Sequence, residues 1–124
     1  NLVTIDPDAF SGLPVDFTMS DALLRIRSQM LGETVLAPSP IPKEVKADLR
    51  QYQKEGVQWL ERLRSMYLNG ILADDMGLGK TVQAISAITQ NLLTHKDAKS
   101  LIVCPTSLLY NWKEELYKFN PKLK

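Results

Sequence analysis

Metal-binding and redox-active side chains are nearly missing from this chain. It holds one cysteine, Cys104, and one histidine, His95. A single thiol excludes an internal disulfide and a cysteine-built zinc site, and it suits a reducing compartment. A lone imidazole excludes a histidine-rich metal centre. No apolar run approaches the roughly 18 residues that a membrane span needs, so no membrane partner is expected. The opening stretch, Asn-Leu-Val-Thr-Ile-Asp-Pro, has neither a basic segment nor an apolar one, so no signal peptide is expected there. It also lacks an initiator Met, which suggests a piece of a longer chain. Seven prolines and six glycines are too few for a disordered or collagenous sequence.

What remains is ordinary globular material: 124 residues, 44% hydrophobic and 23% charged, a length that suits one small domain. The net charge of +1 hides an asymmetry. Residues 1–42 carry two basic and five acidic side chains, whereas residues 43–67 carry six and four, and residues 105–124 four and two. An acidic leader thus precedes a mildly basic body with no polybasic patch, and charge alone does not argue for nucleic acid.

The pattern along the chain gives the organisation. Residues 1–19 read as loop, broken by Pro7, Gly12 and Pro14. Ser20 and Asp21 can cap a helix running to about Leu31, with Ala22, Leu23, Ile26 and Met30 on one side and Gly32 as its stop. Pro38, Pro40 and Pro42 favour a stiff linker, which places a boundary between a leader, 1–42, and a body, 43–124. A helix is expected over 52–68, with Val57, Leu60, Leu63 and Met66 or Tyr67 inward and Asn69-Gly70 closing it. Residues 71–73 read as a buried strand, 80–93 as a helix with Val82, Ile85, Ile88 and Leu92 on one stripe, and 101–104 as a second buried strand. Leu108, Leu109, Trp112, Leu116 and Phe119 mark a last helix. Trp59, Trp112 and Cys104 read as core residues, His95 as exposed, and Lys118 as four residues after Glu114 in the favourable order. Alternating strand and helix make the fold α/β, with a parallel sheet.

Between the first strand and its helix lies Asp74-Asp75-Met76-Gly77-Leu78-Gly79-Lys80-Thr81. Gly77 and Gly79 allow backbone torsions that a side chain forbids and a close approach to phosphate oxygens. Amide N–H groups in such a turn form an anion nest, and the N-terminus of the following helix adds its dipole. Lys80 would meet the β and γ phosphates, and Thr81 would place its hydroxyl on Mg²⁺. Asp74 stands where the strict phosphate-loop pattern has Gly. The plainer alternative is an ordinary turn capping a surface helix.

Residues 71–81 resemble motif I of the Swi/Snf-type translocases of helicase superfamily two. Leu49-Arg50-Gln51-Tyr52-Gln53-Lys54-Glu55-Gly56-Val57-Gln58-Trp59-Leu60 resembles their Q-motif region. Residues 101–119, with Cys104-Pro105-Thr106-Ser107-Leu108 and Asn111-Trp112, resemble their motif Ia. The resemblance covers about 46–121, and Asp74 is what that family carries. Gln51 stands where the family usually has Pro. Asp75 stands where many eukaryotic members have Glu, which looks more like bacterial members and favours a cytoplasmic over a nuclear location. Residues 1–42 match no pattern of the family.

The resemblance implies an incomplete RecA-like P-loop lobe, preceded by a mostly helical and irregular leader of unknown role. It implies ATP and Mg as cofactors, Lys80 and Thr81 as the catalytic pair, and a nucleotide site of Gln53, Asp74, Asp75, Met76, Gly77, Leu78, Gly79, Lys80 and Thr81. Gln53 would bond the adenine edge, and the two aspartates would shape the loop rather than hold metal. Thr106 and Ser107 would hold a DNA phosphate, or simply cap their helix. The implied parent is a DNA-dependent ATPase that translocates on double-stranded DNA together with further motor segments. No Asp-Glu-x-His sequence follows Phe119, so the isolated residues are expected to bind nucleotide weakly and not to hydrolyse it. In that lobe the motif I and motif Ia strands are not neighbours, and unpaired edges would invite self-association. The alternatives are a regulatory module that does not hydrolyse ATP, or another P-loop NTPase such as a kinase or a transport ATPase.

Overall fold

The computed structural model describes residues 18–31 and 40–123. Residues 1–37 and 38–124 form two compact units. In the first, helix α1 spans Asp21–Met30. Ser20 is extended, and its hydroxyl accepts from the Leu23 N–H at 3.4 Å, as an N-cap does. No residue of α1 is buried. The expected stop at Gly32 and the first proline of the linker, Pro38, lie outside the described residues, as do residues 1–17 of the loop expected over 1–19.

The second unit is built from α2 (Gln51–Ser65), α3 (Lys80–Thr94), a 3₁₀ turn (Thr106–Leu108) and α4 (Leu109–Phe119). Helix α3 is central and packs against both α2 and α4. Leu49, Val57 and Val82 form the buried cluster, with Ile41, Ala47 and Phe119 packed on it. Pro42 is buried, so the end of the proline-rich stretch belongs to this unit. The Lys46 N–H donates to the Phe119 carbonyl at 2.7 Å, which ties the segment before α2 to the end of α4. Asn120 is buried; its Nδ2 donates to Thr89 Oγ1 at 3.0 Å, and its Oδ1 accepts from the Lys122 N–H at 3.2 Å. Both ends of that amide are satisfied, as burial demands.

The parallel strands expected over 71–73 and 101–104 are not formed. Among the described residues there is no paired strand, and no backbone hydrogen bond joins these two segments to each other or to anything else. Ile71, Leu101 and Val103 are 86%, 88% and 86% exposed. Apolar periodicity reports what a segment is suited to bury against, whereas a strand exists only with a ladder partner.

Helix α2 ends earlier than its apolar pattern suggests. Tyr67 takes a left-handed φ of 56°, its N–H donates to the Arg64 carbonyl at 3.0 Å, and the Leu68 N–H donates to that of Leu63 at 2.9 Å. This is a Schellman closure, with tyrosine where glycine is usual. Of the two candidates for the inward position, Met66 is buried and Tyr67 is consequently exposed. Glu61 is buried and held by the Arg64 guanidinium at 2.8 Å. Trp59, expected in the core, is 36% exposed; its ring lies over Gly70, where an added Cβ would meet Cη2 at 2.6 Å. Cys104 and Trp112 are half-buried rather than core. Lys118 does not pair with Glu114; its ammonium lies 5.0 Å from the centre of the Phe119 ring. His95 is exposed.

Candidate functional site

The glycine-rich loop, residues 74–79, runs directly into α3. Gly77 and Gly79 have φ of 84° and 78°, in the left-handed region. Gly79 is the N-cap of α3 and Lys80 its first residue. The helix therefore starts with its unpaired N–H groups at the loop. No side chain caps it.

The Lys80 side chain folds back into the loop that precedes it. Its Nζ donates to the carbonyl of Asp74 at 2.6 Å and to that of Asp75 at 2.8 Å. The Asp74 carboxylate accepts from Gln83 Nε2 at 3.1 Å, so α3 holds Asp74 through both its backbone and its side chain. Thr81 lies half-buried in the first turn of α3, beside Lys80. Met76 is fully displayed at the loop tip, and Leu78 is exposed.

Helix α2 grips the loop from the other side. The Leu78 carbonyl accepts from Gln53 Nε2 at 3.0 Å and from the Tyr52 hydroxyl at 3.1 Å. Gln53 Oε1 accepts from the Arg50 N–H at 2.9 Å, closing the first turn of α2 as the N3 residue of a capping box does. One amide thus stabilises a helix start and ties it to the loop. Beside it opens a cleft of about 280 Å³, lined by Ala47, Asp48, Leu49, Arg50, Tyr52, Gln53, Gly77, Gly79, Val82 and Phe119.

The structure therefore brings together Gln53, Asp74, Asp75, Gly77, Leu78, Gly79, Lys80 and Thr81. Thr106 and Ser107 are in the 3₁₀ turn that leads into α4, both exposed. Neither caps α4, whose N-cap is Leu108 with no side-chain bond. Among the described residues no hydrogen bond links this turn to the glycine loop. Nor do three or more His, Cys, Asp or Glu residues converge there on a possible metal position.

Two residues of the site escape the sequence reading: Tyr52 and Gln83. The last had a signal. Gln83, Ser86 and Thr89 recur at three-residue spacing on α3, and all three are buried. That polar stripe runs beside the apolar one and is as much a part of the interior.

Comparison with known proteins agrees with this geometry. The SNF2-related domain matches residues 52–124. The chromatin-remodeling ATPase INO80 of Cryptococcus neoformans is 42% identical over 114 residues, 90% of this chain and 6% of that protein. An uncharacterized ATP-dependent helicase of Mycoplasma pneumoniae is 53% identical over 77 residues, 61% of this chain and 8% of that one. Among solved structures, the Sulfolobus solfataricus SWI2/SNF2 ATPase core in complex with double-stranded DNA superposes with a TM-score of 0.63 at 41% identity, covering 73% of this chain and 19% of that one. The chain thus spans less than a tenth of the length of these two curated relatives. By the extent of the domain match, and by the motifs that lie within it, the chain belongs to the SNF2-related domain family.

Proposed function

We propose that this chain supplies the nucleotide-binding loop of an ATP-driven motor that moves along double-stranded DNA. The observation that carries the reading is the pair of left-handed glycines leading into α3 with Lys80 at its first position. A Cβ built on Gly77 meets nothing within 4 Å, so the backbone at the tip of the loop is open to a ligand. In this reading residues 43–124, together with the packed end of the proline-rich stretch, are the first part of an ATP-binding lobe, and the residues before that stretch are a separate leader.

Each residue has a task that follows from its chemistry. The loop amides and the start of α3 bind phosphate oxygens. Lys80 exchanges the carbonyls of Asp74 and Asp75 for phosphate charge, a stronger partner for an ammonium. Thr81 would offer its hydroxyl to Mg²⁺, a hard cation that favours oxygen ligands. Bound Mg²⁺ would offset the charge of the phosphates. Asp74 and Asp75 shape the loop. Gln53 and Tyr52 border the cleft, where a flat base fits, and Gln53 can both donate to and accept from an adenine edge. Thr106 and Ser107 present free hydroxyls to a DNA phosphate. Hydrolysis is assigned to the intact parent.

Titration of the isolated chain with a fluorescent ATP analogue should show weak, Mg²⁺-dependent binding. ATP turnover by the intact parent should rise on adding double-stranded DNA. Turnover indifferent to DNA would replace the motor by another kind of P-loop enzyme.

The exposed apolar segments 71–73 and 101–104 are best read as strands without their neighbours, open to pairing with other motor segments or with a second copy. Sedimentation of the isolated chain should show mass rising with concentration. Val103→Lys should suppress it, because a charge on a strand edge blocks pairing. A monomer at every concentration would remove the self-association.

A further inference from the structure

Gln83 is the most completely enclosed polar side chain next to the loop, with no solvent exposure. Its two ends have different surroundings. Nε2 donates to the Asp74 carboxylate at 3.1 Å. Oε1 is buried and has no hydrogen-bond donor. It lies 1.9 Å from where a Cβ on Gly56 would stand, so the oxygen rests against the bare Cα of that glycine in α2. Only a residue without a side chain leaves room for it, and a Cα–H group is a weak donor at such a distance.

Leaving an amide oxygen buried without a strong partner is costly, and burial next to a hydrogen-bonded carboxylate is a specific arrangement. The amide cannot be turned round without placing its oxygen against the Asp74 carboxylate and its NH₂ against Gly56. Its orientation is therefore fixed by two neighbours, one in the loop and one in α2. We propose that Gln83 is a positioning residue of the phosphate loop. Seated on Gly56 of α2, it holds the Asp74 carboxylate, and with it the loop carbonyls that receive Lys80. The contact between α2 and α3 thereby sets the shape of the loop. The consequence for nucleotide rests on the reading above, but the positioning itself is measurable with no nucleotide present.

The test is backbone ¹⁵N relaxation of residues 75–79 in the full chain without nucleotide. Gln83→Met keeps the volume and removes the bond. It should lower the order parameters of the loop toward the flexible range, below about 0.6, and leave the interior of α3 near about 0.85. Asp74→Ala should do the same, and the double variant should add nothing to either single change. Asp74→Asn keeps an acceptor for Nε2 and should stay near the unaltered protein. That comparison leaves Gln83 in place, so it stands even where Gln83→Met fails to fold. Unchanged loop order parameters in Gln83→Met or in Asp74→Ala, or effects that simply add, would overturn the positioning role. Failure of the unaltered chain to bind the ATP analogue would instead strike the nucleotide reading and leave this result intact.

Discussion

Lys80→Ala is expected to abolish nucleotide binding by this chain and ATP turnover by its parent. Lys80 is the only cation between residues 74 and 81, and two carboxylates, Asp74 and Asp75, precede it in the same loop. Its Nζ rests on the carbonyls of Asp74 and Asp75. Those are neutral partners, which an ammonium readily leaves for a phosphate oxygen. Alanine takes away that cation and leaves the loop with two carboxylates and no positive charge to offset them or the phosphates. Losing one charge-assisted contact of this kind and the compensation of the aspartates should weaken binding at least about 100-fold, roughly 2.7 kcal/mol. Lys80→Arg keeps the charge but carries a broad planar fork into a position shaped for a single nitrogen, so it should recover only part of the loss. Titration of all three proteins with the fluorescent ATP analogue reads both effects. Equal affinity in the unaltered chain and Lys80→Ala would remove Lys80 from phosphate binding.

The parts of this structure that could be read from the sequence are those whose chemistry is local. Ser20 before α1, and the glycines before Lys80, act on atoms a few residues away, and their spacing says so. Helix α3 was legible almost to the residue because its start is a glycine turn and its apolar stripe is regular. What escaped depends on partners far along the chain or absent from the pattern. The segments 71–73 and 101–104 have strand composition without a ladder, since composition cannot supply a neighbour. Glu61 reads as a surface charge until Arg64, three residues on, is seen to cover it. Tyr67 gives no hint that it will take a left-handed turn and end α2. Gln53 was legible as a residue of the site, but not as the one that joins the loop to Arg50. Gln83 and Gly56 make sense only as a pair, 27 positions apart, one with no side chain and the other with an amide that needs the space.

The two loop glycines offer a sharper experiment than either alone, because they share a backbone conformation and differ in surroundings. Their φ values, 84° and 78°, would strain any Cβ by a similar amount, about 1–2 kcal/mol. A Cβ on Gly77 would meet nothing within 4 Å. One on Gly79 would stand 2.5 Å from Gln53 Nε2 and 3.2 Å from Val82 Cγ1. Gln53 cannot simply step aside, because Nε2 is bound to the Leu78 carbonyl and Oε1 to the Arg50 N–H. Moving it would undo both the tie to the loop and the first turn of α2. Val82 is part of the buried cluster and has little freedom to yield. Gly77→Ala is therefore expected to weaken binding of the ATP analogue by about tenfold, the strain alone. Gly79→Ala should weaken it at least about 100-fold and also lower the midpoint of urea unfolding more than Gly77→Ala does. Adding Gln53→Ala to Gly79→Ala removes the obstructing amide and should restore part of the lost stability, although not the contact with the loop. Equal losses in the two single variants, or no recovery in the double one, would show that Gln53 does not brace the loop against α2.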